Sequence, residues 1–202
     1  MQNRILSVDI FRGMTIVLMI LVNTPGTWSA VYAPFLHAEW HGYTPTDLVF
    51  PFFLFIVGTS IVFAYKNKTT TSATYKKIVV RTLKLIGLGL FLGAFTLTFP
   101  FVKDFADIRF PGVLQRIGVV FFFASILFLN VKWKTLIGIA VVLLIGYWSL
   151  MVFVPVNGEE STLARAPNNL ANWLDVKVFG THSYKADYDP EGLLSTIPSI
   201  VS

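Results

Sequence analysis

The sequence contains no cysteine, which excludes disulfide bonds, thiolate metal sites and cysteine nucleophiles. Charge is also scarce, because Asp, Glu, Lys and Arg make up only 13% of the 202 residues. A soluble domain carries about twice that proportion. Together with an apolar content of 54%, the shortage of charge argues against an ordinary soluble domain and indicates an integral membrane protein.

Long apolar runs take the place of the missing charge, and they lie at residues 8–23, 45–65, 78–99, 111–131 and 135–155. A helix of about 20 residues crosses a hydrocarbon layer of about 30 Å. Because backbone groups in lipid must be hydrogen-bonded within their own segment, unalternating runs of this length are helices and not barrel strands. The sequence therefore predicts an all-α polytopic transmembrane bundle with five spans.

The two ends of the chain carry less regular signals. Arg4 and the first apolar run resemble a signal peptide, but Asp9 and Arg12 interrupt it, and we expect an uncleaved first span. After residue 155 the chain is polar, and we expect residues 156–188 to form an extracytoplasmic loop.

Residues 189–192, Asp-Pro-Glu-Gly, predict the start of a sixth span, with Asp as the N-cap and Pro at the first helical position. Too few residues follow to cross a bilayer. We expect residues 1–202 to be a single transmembrane domain that forms the N-terminal part of a longer protein.

Loop charges predict the orientation of the bundle. The first loop, residues 24–44, has neither Lys nor Arg, whereas basic residues fill the second and fourth loops: Lys66, Lys68, Lys76, Lys77, Lys132 and Lys134. The positive-inside rule places these two loops and the N-terminus in the cytoplasm of a multi-pass plasma membrane, the inner membrane of a bacterium. The net charge of +5 then has a local explanation, and we expect no nucleic-acid partner.

Reactive side chains concentrate in the first outer loop, where His37 and His41 flank Glu39 and Trp40. A histidine can accept and return a proton near neutral pH, or attack as a neutral imidazole. Both histidines could instead hydrogen-bond lipid or water at the membrane interface. The loop lacks the tetrahedral ligand set of a metal site, so we predict no metal.

Asp47 has two interpretations. In the pattern Thr44-Pro-Thr-Asp47, threonine is a helix N-cap and the carboxylate at the third helical position completes a capping box. The same carboxylate lies close enough in sequence to the histidines to take part in catalysis. One residue can serve both roles. Pro51 should kink the helix that follows.

Charges inside apolar runs are costly, and Arg12, Arg81, Lys84 and Arg116 each need a reason. The first three lie near cytoplasmic ends, where they can snorkel to headgroups or bind an anionic ligand that enters from the cytoplasm. Arg116 lies near the outer end of the fourth run and is expected to face the interior of the bundle.

Four segments together resemble one family: LSVDIFRGMTIVLMILVN, HAEWHGYTPTDLVFPFFLFIVGTSI, IRFPGVLQRIGVV and YDPEGLLSTIPSI. In this order they are similar to the heparan-alpha-glucosaminide N-acetyltransferases and their bacterial relatives, with this chain covering about the N-terminal half. The resemblance implies transfer of an acetyl group from cytosolic acetyl-CoA to the amine of a glucosamine-type sugar across the membrane.

The resemblance also implies roles for single residues. His37 matches the active-site histidine, Asn23 the catalytic-site asparagine, and Asp47 the aspartate of the family's Asp-Leu-Val-Phe-Pro run. His41 stands where the human member has Asn. His37 would deprotonate the amine or carry the acetyl group covalently, and Asn23 would donate to the oxyanion. The acetyl-CoA phosphates would contact the intramembrane cations: Arg12, Arg81, Lys84 and Arg116.

Two other functions remain open from the residues themselves: a small-molecule transporter and a non-catalytic membrane partner. A transporter would show an inverted repeat and broken helices, and only the proline at position 51 hints at this. The sequence leaves the acceptor sugar and homo-oligomerisation open. We expect the 202-residue chain alone to be inactive as an enzyme.

Overall fold

The computed structural model describes residues 5–66 and 70–201, and its regular structure is helical. The only β pairing within these ranges consists of two isolated bridges, Phe95 with Val102 and Val156 with Glu159. The predicted all-α class is confirmed. The α-helices are α1 Leu6–Asn23, α2 Val49–Tyr65, α3 Ser72–Ala94, α4 Val113–Asn130, α5 Trp133–Phe153, α6 Leu170–Phe179 and α7 Leu193–Ser199.

Four helical segments are long and apolar enough to cross a membrane: Leu6–Asn23, Pro45–Tyr65, Val113–Asn130 and Trp133–Phe153. They correspond to four of the five predicted spans. The remaining one corresponds to α3, which has 23 residues but carries four basic side chains: Lys76, Lys77, Arg81 and Lys84. The predicted count of five spans is therefore not confirmed.

Helix α3 begins at Ser72, six residues before the predicted start at residue 78. The hydroxyl of Thr71 accepts a hydrogen bond from the Thr74 amide and caps the helix there. Lys76 and Lys77 were predicted to lie in a loop, but they are helical. Lys68, assigned to the same loop, lies outside the described residues.

The described chain divides into two compact units, residues 5–60 and 61–201. In the first, the Phe11 ring of α1 makes edge contacts with Phe52 and Phe55 of α2, at centroid distances of 5.2 and 6.1 Å. Pro51 lies in the first turn of α2, immediately after a 3-10 turn at Pro45–Leu48. A helix needs no amide hydrogen there, so the proline is tolerated.

In the second unit, α3 and α4 pack antiparallel. The Tyr75 hydroxyl near the start of α3 donates to Oδ1 of Asn130 at the end of α4, at 2.8 Å. Between these ends, Gly118 lies so close to α3 that an added Cβ would be 3.2 Å from Ile86 and 3.3 Å from the Thr82 carbonyl. The small residue permits the close approach of the two backbones.

The remaining helices of this unit enclose a small apolar core. Met151 of α5, Val156 after it, and Leu170 and Ala171 of α6 are buried together. The Asn169 side chain caps α6 by accepting from the amides of Ala171 at 3.1 Å and Asn172 at 3.2 Å. The polar segment at residues 156–188 thus contains a helix of its own.

The last helix begins later than its sequence signal indicated. We predicted Asp189 as N-cap and Pro190 as the first helical residue, whereas α7 starts at Leu193 with Gly192 as its N-cap. The Asp189 carboxylate instead accepts from the amides of Tyr184 at 2.7 Å and Glu191 at 2.9 Å, and it pairs with Arg109. A non-local ion pair therefore converts the predicted first turn into a connecting turn.

Candidate functional site

The first outer loop brings His37 and Asp47 into direct contact. Asp47 lies in the 3-10 turn at Pro45–Leu48, and its Oδ2 accepts from the Thr44 amide at 2.8 Å and the Ala38 amide at 3.1 Å. Its Oδ1 lies 2.6 Å from Nδ1 of His37. The carboxylate therefore caps the helix start and holds the histidine ring at the same time.

This contact assigns a role to each nitrogen of the His37 ring. An ionised carboxylate accepts hydrogen bonds and cannot donate, so Nδ1 carries a hydrogen, and in the neutral imidazole Nε2 is then the nitrogen with the lone pair. The His37 side chain is 67% exposed and that of Asp47 only 27%. An accessible base held by a sheltered carboxylate is the arrangement used for proton transfer or for nucleophilic attack.

Thr44 adds a further contact to the same carboxylate. Its hydroxyl donates to the Leu36 carbonyl at 2.6 Å and lies 3.0 Å from Oδ2 of Asp47. The loop between residues 36 and 44 is thus closed on the helix start by several hydrogen bonds, which limits the positions that the His37 backbone can take.

Asn23, predicted as the oxyanion donor, is the last residue of α1. Its Nδ2 donates to the Met19 carbonyl at 2.9 Å, and the residue is exposed. A side-chain amide has two hydrogens, so this bond leaves a second donor for a ligand. His41, for which no catalytic role was predicted, is exposed at a bend in the loop.

The predicted acetyl-CoA cations occupy different surroundings. Arg12 in the first unit pairs with Asp9 at 3.2 Å and donates to the Ser60 hydroxyl at 3.4 Å. Arg81 in the second unit places its guanidinium 4.4 Å from the centre of the Phe121 ring. Lys84 lies beside Arg81 on an open groove of about 480 Å³, whose other lining residues are Ala73, Lys76, Lys77 and Val80.

Arg116 is held by the segment that leads into α7. Its guanidinium donates to the Pro190 carbonyl at 2.8 Å, to the Ser199 hydroxyl at 2.6 Å and to the Ser195 carbonyl. The expectation that Arg116 faces the bundle interior fits this position. Its predicted contact with acetyl-CoA stays a prediction.

Sequence reasoning missed a buried carboxylate in the polar segment. Asp175 on α6 is 1% exposed and accepts from the Leu193 amide at 2.9 Å. Burial raises the pKa of Asp175 to about 6, against the opposing effects of this hydrogen bond and of Arg116, while Asp189 raises it further. Only tertiary contacts make this residue unusual, and its sequence neighbours give no signal of them.

Comparisons with known proteins place the chain in a family. The model of the family described as heparan-alpha-glucosaminide N-acetyltransferase, catalytic, matches residues 4–190. The heparan-alpha-glucosaminide N-acetyltransferases of Mus musculus and Homo sapiens are 31% and 30% identical to it, over 98% of the chain. The chain spans 37% of the length of these two relatives.

The chain is a membrane protein. This follows from its similarity to these enzymes and from its four apolar helices of membrane-spanning length. Because the family model matches nearly the whole sequence, the chain belongs to the heparan-alpha-glucosaminide N-acetyltransferase catalytic family.

Proposed function

We propose that this protein is part of a membrane-embedded acetyltransferase that moves an acetyl group from cytosolic acetyl-CoA to the amine of a glucosamine-type sugar on the opposite side of the membrane. The observation that carries the proposal is the 2.6 Å contact between Nδ1 of His37 and Oδ1 of Asp47. It leaves Nε2 of an exposed histidine available to a substrate.

In the proposed reaction, Nε2 of His37 accepts a proton from the sugar amine while the amine nitrogen attacks the thioester carbonyl carbon. The new C–N bond forms, the C–S bond breaks, and CoA leaves as a thiolate. The imidazolium that forms on His37 is stabilised by Asp47, and it returns its proton to the leaving sulfur or to solvent. The second Nδ2 hydrogen of Asn23 would donate to the oxyanion, an interaction often worth about 3 kcal/mol.

A covalent route uses the same nitrogen in another way. Nε2 of His37 attacks the thioester first, CoA leaves, and the acetyl-imidazole then passes its acetyl group to the amine. We favour the general-base route because it needs no stable acetyl-histidine. Labelled acetyl-CoA without acceptor separates the two, since only the covalent route leaves label on the wild-type protein and none on the His37→Ala variant.

The chain offers groups that suit the anionic part of acetyl-CoA, which carries several phosphates. Arg81 and Lys84 lie on one face of α3 with Lys76 and Lys77, along an open groove. Guanidinium and ammonium groups are the usual protein partners of phosphate. The fit is therefore good at α3, and Arg12 and Arg116 are further predicted contacts.

The topology we propose has the N-terminus in the cytoplasm of a bacterial inner or other plasma membrane. It is supported by the basic residues between positions 66 and 77 and in the fourth loop, and by the absence of Lys and Arg between residues 24 and 44. His37 would then face the side on which the acceptor sugar arrives.

Replacement of His37 in the full-length protein tests the proposal. His37→Ala should lower kcat for acetyl transfer by at least about 100-fold, the usual scale for the loss of a positioned base. His41→Asn is the matched control and should be nearly silent. Both variants must reach the membrane at wild-type levels. Retention of half the wild-type rate by His37→Ala, with loss of the rate in His41→Asn, would assign the role to the other histidine.

A further inference from the structure

Residues 76–84 of α3 carry positive charge that no acidic residue of the same helix balances. Lys76, Lys77, Arg81 and Lys84 all line one groove of about 480 Å³, together with Ala73 and Val80. At about 3.6 residues per turn, positions 73, 76, 77, 80, 81 and 84 lie on one face of a helix. Neither α3 nor the α4 helix beside it contains an acidic residue.

These four cations also lack carboxylate partners in the part of the chain that the structure describes. The Arg–carboxylate pairs found within residues 5–66 and 70–201, those of Arg12, Arg109 and Arg165, include none of the four. A groove that gathers four cations without a counter-charge favours a ligand with several negative charges.

One of the four cations is held in place. The Arg81 guanidinium lies 4.4 Å from the centre of the Phe121 ring, and Phe121 is only 2% exposed. A cation stacked on a buried ring is fixed against α4. Arg81 is therefore held by a contact within the protein, unlike a side chain that simply extends to lipid headgroups.

The cations form two pairs along the helix. At 1.5 Å per residue, the midpoint of Lys76 and Lys77 lies about 9 Å from the midpoint of Arg81 and Lys84, measured along the axis. Two separated pairs suit two separated phosphate groups. A nucleotide with a phosphomonoester on its ribose and a diphosphate at its other end has this distribution of charge.

We propose that Lys76 and Lys77 form a phosphomonoester subsite, distinct from the diphosphate position at Arg81 and Lys84, and that this subsite selects donors with a ribose phosphate. The inference rests on the proposed use of acetyl-CoA. It adds two binding residues and a preference for donors that carry a ribose phosphate. The protein should therefore distinguish CoA, which carries a ribose 3′-phosphate, from dephospho-CoA, which lacks it.

Binding of CoA and dephospho-CoA to the purified full-length protein tests the subsite without any need for turnover. In neutral detergent, calorimetry should give a Kd for CoA that is at least about tenfold lower, the change expected from one charge-assisted contact. In the variant Lys76→Gln/Lys77→Gln, the Kd for CoA should rise to that for dephospho-CoA, and the Kd for dephospho-CoA should stay unchanged.

The matched control is Lys132→Gln/Lys134→Gln, which removes the same charge from exposed positions outside α3. It should keep the preference for CoA, and an equal loss of preference there would overturn the subsite in favour of general electrostatics. All variants must elute as the wild type and unfold at the same temperature.

Two further results would overturn the inference. Equal wild-type affinities for CoA and dephospho-CoA would remove the subsite, while acetyl transfer could still stand. Binding of phosphatidylglycerol vesicles that depends on Lys76 and Lys77, with no nucleotide preference, would make the pair a lipid-headgroup contact. Absence of any CoA binding would instead remove the proposed donor itself.

Discussion

At the scale of single residues, Asp47 combines two roles that are usually separate. Its Oδ2 accepts the Thr44 and Ala38 amides at the start of a helical segment, and its Oδ1 accepts from His37. An aspartate that only capped the helix would leave the histidine ring free to rotate. The position of the base therefore depends on the same carboxylate as the helix start.

Asp47→Asn should lower kcat by about 100-fold, because an amide can donate to Nδ1 and favour the wrong tautomer of His37. The KM for acetyl-CoA should change little. Thr44→Ala is the control, since it removes the hydroxyl 3.0 Å from Oδ2 but keeps the amide bond, and it should cost less than tenfold. Steady-state kinetics on the full-length protein measure kcat for both variants. A wild-type kcat in Asp47→Asn would show that Asp47 only caps the helix.

At the same scale, the buried carboxyl of Asp175 should make the stability of the fold depend on pH. Burial raises its pKa to about 6 from an ordinary value of 3.8, so the folded protein binds a proton more readily than the unfolded chain. The contribution of this group to stability therefore falls as pH rises from about 4 through 6. Asp175→Asn, which mimics the protonated acid, should raise the melting temperature by about 2–4 °C at pH 7.5 and leave it unchanged near pH 4. Thermal unfolding of both proteins across this range would reject the idea if the variant were less stable at every pH.

At the scale of elements, the antiparallel pair of α3 and α4 depends on a glycine contact. A Cβ at Gly118 would lie 3.2–3.3 Å from Ile86, Leu85 and Thr82, whereas nothing lies within 4 Å of a Cβ at Gly138 in α5. Gly118→Leu should destabilise the fold by about 1–3 kcal/mol through overpacking. Gly138→Leu should be neutral or slightly stabilising. Thermal unfolding in the same detergent compares them, and equal melting temperatures would show that α3 and α4 are not closely packed in the membrane.

Element boundaries show where sequence reasoning succeeded and where it could not. Helices α1, α2, α4 and α5 follow from hydropathy alone, because a run of apolar residues in lipid has no alternative to a helix. The start of α3 was missed because hydropathy ignores the helical spacing of its lysines. The start of α7 was missed because Arg109, distant in sequence, binds the Asp189 carboxylate that should have capped it.

The candidate site was predictable only in part, for a similar reason. The capping pattern at Thr44 and Asp47 is local and can be read from four residues. The hydrogen bond from His37 to Asp47 depends on the path of the loop between them, which no local propensity determines. The resemblance to a family selected His37, and the structure showed that its Nδ1 is bonded to Asp47, which leaves Nε2 for a substrate.

At the scale of the whole molecule, the orientation predicted from loop charges can be tested by labelling. The chain has no native cysteine, so Ser29→Cys and Lys132→Cys variants have no background. Both positions are exposed. An impermeant thiol reagent added to sealed cells should label position 29 and leave position 132 unlabelled until the cells are opened. Labelling of position 132 from outside would reverse the proposed topology.

Because Asp47 both caps the helix and holds His37, hydrogen exchange can measure how stable the site is without any substrate. The amide hydrogens of Ala38 and Thr44 both bond to this carboxylate. They therefore exchange with deuterated solvent only when these hydrogen bonds break. The exchange rate of these two amides therefore reports how often His37 loses its partner. Fraying of this single turn would release His37 from its partner while the rest of the bundle stayed folded.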